Sequence, residues 1–133
     1  MTSTTSAKNF EALYKESRNG ANQFFRNPLV PKFVFSDGVK DCAEAGGCYW
    51  LLDIVATECL EPLGASQRSY MGIVTCKVAA GQADIKLTDS DEAEPIWSRH
   101  LDFTDMPEGE WKFILYNDIG NGSRFSFILP SEY

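Results

Sequence analysis

The chain has a single histidine, 12 Lys/Arg against 19 Asp/Glu, and no apolar run long enough to span a bilayer. Each shortage excludes a class of function. With only His100 available, any imidazole chemistry must pass through one residue, and a nitrogen-rich metal site is out of reach. The longest apolar stretch, CYWLLDIVATECL, is about 13 residues where a membrane helix needs roughly 20. The opening MTSTTSAKNFEALYKES lacks the basic start and apolar h-region of a secretory signal, so a cytoplasmic chain is expected. Phosphate-binding glycine loops and basic RNA-binding runs are missing as well, and no cofactor is expected.

What is present suits one core. In 133 residues, 44% hydrophobic and 13% aromatic content is ample for a single domain spanning residues 1–133. Met1–Thr5 is a Ser/Thr tail with nothing to bury, expected to be disordered. Residues 6–20 read as an amphipathic helix capped by Ser6, with Phe10, Leu13, Tyr14 and Ser17 on one side and a stop near Asn19-Gly20. Pro28 and Pro31 break the pattern that follows, and Lys32–Phe35 is rich in β formers.

The stretch around which the rest is organised is Ser36–Glu61. Ser36 or Asp37 can cap a short helix running to about Ala45, and Gly46-Gly47 ends it. Cys48–Leu60 then resumes as a helix that is apolar nearly all round, the mark of a buried element. Pro62-Leu63-Gly64 is expected to stop it.

After that point the pattern is β. Strands are expected over Tyr70–Val78, Ala83–Thr88, Pro95–Phe103, Trp111–Tyr116 and Arg124–Leu129, separated by Ala79-Ala80-Gly81, the acidic loop Asp89–Glu94, Glu108-Gly109 and Asn117–Gly122. In the third, Trp97, Leu101 and Phe103 share one face, and Ser98, His100 and Asp102 the other. The fold class is therefore α+β: N-terminal helices and a buried central helix packed on an antiparallel meander of about five strands.

The candidate chemistry is thin. Ser98, His100 and Asp102 sit about 6.6 Å apart along one strand face, too far for the direct hydrogen bonds of a nucleophilic triad. Cys42, Cys48, Cys59 and Cys76 lack the close pairing of zinc sites and read as reduced, buried thiols. Asp89, Asp91 and Glu92 superficially suggest a calcium loop, but the sixth-position glycine and twelfth-position glutamate are missing. Cys48 at a helix N-terminus is the one setting that lowers a thiol pKa, and Asp53 is a carboxylate on an otherwise apolar helix.

Charge is distributed unevenly. Residues 1–35 carry five Lys/Arg against two Asp/Glu, whereas residues 84–110 carry nine Asp/Glu against Lys86 and Arg99, net −7. Such a patch repels phosphate backbones and draws a basic partner, including a nucleic-acid-binding protein.

Taken together, Ser36-Asp37-Gly38-Val39-Lys40, Ala45-Gly46-Gly47-Cys48-Tyr49-Trp50-Leu51-Leu52-Asp53, Thr104-Asp105-Met106-Pro107 and Leu129-Pro130-Ser131-Glu132-Tyr133 resemble a family of small proteins of unknown function found in bacteria and on phages and plasmids. The resemblance covers roughly residues 30–133, leaving the N-terminal helix as an addition, and implies a mobile-element setting. That family carries a small residue at the Cys48 position, which speaks against a shared thiol mechanism.

Three functions stay open. The leading one is a non-enzymatic acidic protein-binding module, a mobile-element-encoded inhibitor of a host nucleic-acid-binding defence complex in the manner of anti-CRISPR proteins. Its binding residues would be Asp84, Asp89, Asp91, Glu92, Glu94, Trp97, Asp102, Asp105, Glu108 and Glu110, with Trp111 and Tyr116 as further aromatic anchors. The others are a Cys-dependent enzyme or redox protein using Cys48, and a small-ligand-binding domain anchored by Asp53.

Overall fold

The computed structural model describes residues 10–15, 23–28, 30–66, 71–88, 94–104, 106–118 and 124–132. It is α+β, with helices on one face of a seven-stranded mixed sheet. In chain order the elements are α1, whose described part is residues 10–15; β1 (Phe24–Arg26); β2 (Phe33–Ser36); α2 (Asp37–Gly46); α3 (Tyr49–Ile54); a π turn (Val55–Cys59); and α4 (Leu60–Ser66). Then follow β3 (Met71–Ala79), β4 (Gln82–Thr88), β5 (Trp97–Leu101), β6 (Gly109–Asp118), β7 (Arg124–Ile128) and a 3-10 turn (Pro130–Glu132).

The sheet order is β1-β2-β7-β6-β3-β4-β5. This corrects the expected five-strand meander. Only β3, β4 and β5 meander; β6 returns to lie beside β3, giving the Greek-key arrangement of four antiparallel strands. On its far side β7 pairs antiparallel with β6 and parallel with β2, so the sheet is mixed and its centre joins the two ends of the chain. Strand β1, a three-residue edge strand, lies where the two prolines masked any β pattern.

Alternation builds the core. Val74, Cys76 and Val78 of β3, Ala83, Ile85 and Leu87 of β4, and Trp111, Phe113 and Leu115 of β6 all face the helices and are buried. Phe33, Phe35, Phe125 and Phe127 continue that layer, with Phe113 stacked on Phe127 at 5.1 Å. Leu51, Leu52, Val55, Cys59 and Leu63 cover it from above, which makes the central helix the buried element its composition predicts.

That helix does not stop at Pro62. It continues to Ser66, and the π turn ends at Cys59, three residues before the proline. Pro62 has no N–H to offer the carbonyl of Glu58, four residues earlier, so the α register cannot be kept across this point. The wider turn falls where that bond would be missing.

Segment α1 belongs to the same core. Phe10 is fully buried and meets Trp111 edge-on at 4.8 Å. The Tyr14 hydroxyl donates to the Lys112 carbonyl (3.0 Å) and accepts from the Lys112 N–H (2.9 Å). Since β7 ends at Ile128 opposite Ile114, Lys112 has no strand partner on that side, and the phenol takes its place. The expected cap at Ser6 and the stop near Asn19-Gly20 lie outside the described residues, as does Met1–Thr5.

The start of α2 meets the C-terminal turn. Ser36 caps the helix by accepting from Val39 N–H, and its own hydroxyl donates to Glu132 Oε1 at 2.5 Å. The same carboxylate oxygen accepts from the Leu129 N–H at 2.9 Å. Glu132 is buried against the first turn of α2, where the helix dipole favours negative charge. A Cβ at Gly38 would stand 2.6 Å from Glu132 Oε2, so only glycine leaves room for this contact.

Glu132→Ala should therefore cost roughly 2–4 kcal/mol, and Glu132→Gln less, because buried donors lose their acceptor in the first and keep one in the second. Gly38→Ala should cost roughly 1–3 kcal/mol on its own. In urea unfolding, the double variant Gly38→Ala/Glu132→Ala should be clearly less destabilised than the sum of the two. Strict additivity would show that the two do not interact.

Candidate functional site

The face of the sheet away from the helices carries the polar half of each strand. Across it, Cα partners run Glu110–Lys77–Asp84–His100 in one row and Lys112–Thr75–Lys86–Ser98 in the next, over β6, β3, β4 and β5. Charges alternate along the first row, an arrangement that favours neighbouring strands. His100 completes it by reaching two carboxylates. Its Nδ1 lies 2.7 Å from Asp84 Oδ1 and its Nε2 3.2 Å from Asp102 Oδ1. The hydrogen bond to Asp84, followed by the charges of Asp84 and Asp102, raises the His100 pKa above its ordinary 6.5.

The acids converge on one end of the sheet. There the hairpin Ala80-Gly81 turns with positive φ at both residues, 54° and 74°, as a tight β3–β4 connection requires. The segment joining β5 to β6 is fastened to this turn: Thr104 N–H donates to the Gly81 carbonyl, and Glu108 Oε1 accepts from the Ala80 N–H. Asp84, Asp102, Glu108 and Glu110 are all exposed around it. Between Asp102 and Thr104 stands Phe103, 76% exposed and the most exposed large apolar side chain among the described residues.

Phe103 departs from the strand alternation. Alternation from Trp97 through Leu101 predicted an inward ring, but β5 ends at Leu101 and the chain turns outward. Trp111 fails as an anchor for the opposite reason. It is buried, and its Nε1–H donates to the Pro107 carbonyl at 2.9 Å. Trp97 is half-buried against the core, and Tyr116 is partly exposed on the open face. Glu94 is exposed but stands before β5, at the opposite end of that strand from Asp102. Asp89, Asp91, Glu92 and Asp105 lie outside the described residues.

Neither chemical alternative finds a constellation. All four cysteines are buried and unpaired by disulfides. Burial, with the neighbouring Cys42 and Cys76 adding to it, pushes the Cys48 thiol up to about 12, and its Sγ faces the Cys42 carbonyl. A thiol held there is protonated at neutral pH and does not attack. Asp53 is exposed, and its carboxylate accepts from Asn27 Nδ2 at 3.4 Å rather than entering a cavity. Ser98 faces Lys86 across the strands rather than supplying a nucleophile to His100. Among the described residues no cluster of three or more His, Cys, Asp or Glu is arranged to hold a metal ion, and no helix is long and apolar enough to cross a membrane.

Two concavities accompany these groups. An open groove of about 570 Å³ runs between α1 and α2, lined by Ala12, Leu13, Asp41, Glu44 and Ala45. Glu44 is engaged there by Lys40 at 3.0 Å and by the Tyr49 hydroxyl at 3.1 Å, contacts that hold its carboxyl below the usual range. A smaller pocket of about 160 Å³ opens on the polar face of the sheet around Thr75.

Fold and site thus define an α+β protein whose polar sheet face ends in an acidic, aromatic-tipped edge. The family model described as "Family of unknown function (DUF6876)" matches residues 11–133, and the chain belongs to that family. The match begins inside α1, well upstream of residue 30. No curated protein matches the chain, and no solved structure does.

Two outcomes follow from the side-chain environments. In an NMR titration His100 should show a pKa above 6.5, and Asp84→Asn should bring it down. Because the folded value is raised, the pair stabilises the fold fully below pH 6.5, and that contribution is lost as pH rises through the folded pKa. Alkylation by iodoacetamide should leave Cys48 unreacted at pH 8 while the protein is folded and modify it on denaturation; rapid labelling of the native protein would revive a thiol role.

Proposed function

We propose that this protein is a non-enzymatic binding module that places its acidic sheet end on a basic surface of a protein partner. The observation that carries the reading is Phe103, 76% exposed, next to the exposed carboxylates of Asp84, Asp102, Glu108 and Glu110. Exposed acid alone is an ordinary solubilising surface. A large aromatic ring held out among carboxylates differs, because it supplies the apolar anchor around which charged contacts are arranged in protein interfaces.

In this reading the carboxylates steer association and Phe103 enters an apolar pocket of the partner. A basic groove built to hold a nucleic acid backbone fits such a surface, since side-chain carboxylates present negative charge as phosphates do. The biological setting is a phage- or plasmid-encoded inhibitor acting in the cytoplasm on a host nucleic-acid-binding defence complex. Family membership supports this reading no further than the fold, and burial, which raises the Cys48 pKa, favours it over the thiol alternative.

The test is binding to purified CRISPR effector complexes, measured by interferometry at rising sodium chloride. Affinity should fall about tenfold or more between low and high salt, Asp102→Lys/Glu110→Lys should abolish binding, and Phe103→Ala should weaken it by roughly 2 kcal/mol. Binding indifferent to salt and to both variants, or absent altogether, would overturn the proposal.

A further inference from the structure

The polar face of the sheet carries a second surface of opposite sign. Lys86 and Lys112 are the two Cα partners of Thr75, one on each neighbouring strand. With strands about 4.8 Å apart, the two lysine backbones stand roughly 10 Å from each other with Thr75 midway between them. All three line the pocket of about 160 Å³, together with Ile73, Thr88 and Glu110. Thr75 is 6% exposed and forms the floor, while the lysines are exposed at the walls. Among the described residues neither lysine makes an ion pair.

The chain as a whole has a net charge of −7. Several charged side chains elsewhere on the described surface are paired: Lys15 with Glu11, Lys40 with Glu44, Arg99 with Glu58, and His100 with Asp84 and Asp102. The nearby carboxylate of Asp84 is held by His100, on the row next to Lys86. Two lysine side chains that flank a hydroxyl over a concavity are suited to a compact, multiply charged oxyanion, because ammonium groups act as point charges without the planar fork that selects carboxylates.

We infer that the Thr75 pocket binds a phosphoryl group, with Lys86 and Lys112 supplying charge from both sides and the Thr75 hydroxyl donating from the floor. Pocket size limits the ligand. Whole small-molecule sites occupy about 300–1,000 Å³, so this one takes inorganic phosphate or the end of a phosphomonoester, not an entire nucleotide. Glu110 at the rim weakens the site by its own charge, and this sets a discriminating variant. The site borders the acidic end and shares Glu110 with it, but it needs Lys86 and Lys112, which the partner-binding reading does not use.

The experiment is an amide NMR titration of the full chain with inorganic phosphate, repeated with O-phosphoserine, and with sodium acetate and sodium chloride as controls at matched ionic strength. Shifts should concentrate at Thr75, Lys86 and Lys112, and Glu110→Gln should tighten binding several-fold. Lys86→Gln/Lys112→Gln should weaken it roughly tenfold or more while leaving the folded spectrum intact. Binding of O-phosphoserine without inorganic phosphate assigns the site to esters; binding of both assigns it to the phosphoryl group itself. Equal response to acetate or chloride, shifts centred elsewhere, or indifference to the lysine variants would overturn the inference, whatever the fate of the partner-binding reading.

Discussion

A buried carboxylate holds the start of one helix to the end of the chain, and much of the architecture is arranged around that contact. Ser36 closes β2 and opens α2, so its hydroxyl stands at the joint between sheet and helical layer. Glu132 takes that hydroxyl and the Leu129 N–H with one oxygen and lies against Gly38 with the other. A carboxylate in this position is costly unless it is compensated: Oε1 takes two donors, while Oε2, buried without a hydrogen-bond partner among the described residues, rests at the positive end of the α2 dipole. The segments Ser36–Lys40 and Leu129–Glu132, far apart in the chain, thereby meet as one structural unit.

The two faces of the sheet divide the labour. One is aromatic and aliphatic and accepts the helices; the other is polar and, among the described residues, free of them. On the polar face, rows of opposite character lie side by side: the alternating row Glu110–Lys77–Asp84–His100 beside Lys112–Thr75–Lys86–Ser98. Net charge alone hides this. A chain that is strongly acidic overall presents an acidic end next to a small basic depression, because registry places lysines opposite one another across a threonine.

Much of this was legible in the sequence where local physics decides. The Ser36 cap, the Gly46-Gly47 break and the alternation of β3, β4 and β6 gave the elements within a residue or two. Strand order was not legible, because β6 pairs with β3 instead of its neighbour β5, and local pattern carries no information on long-range pairing. Neither was the passage through Pro62, which depended on a register change one turn earlier. At the site the acids were visible and the aromatic was not. Phe103 looked inward only because alternation was carried past the end of its strand, whereas Trp111 looked available until Pro107 was seen to accept from its indole. Glu132 gave no sign of being buried, since nothing near it in sequence announces Ser36.

The parallel pairing of β2 with β7 has a kinetic consequence. Phe33, Val34 and Phe35 find their partners only at Phe125, Ser126 and Phe127, and the Ser36–Glu132 contact spans 96 residues. Closing a loop of that length costs about 4 kcal/mol of chain entropy before any of its contacts form. During synthesis the first hairpin and α2 therefore wait, with the phenylalanines of β2 lacking their final neighbours, until β7 has emerged. The barrier to folding should lie in assembling the sheet's centre rather than in forming any helix.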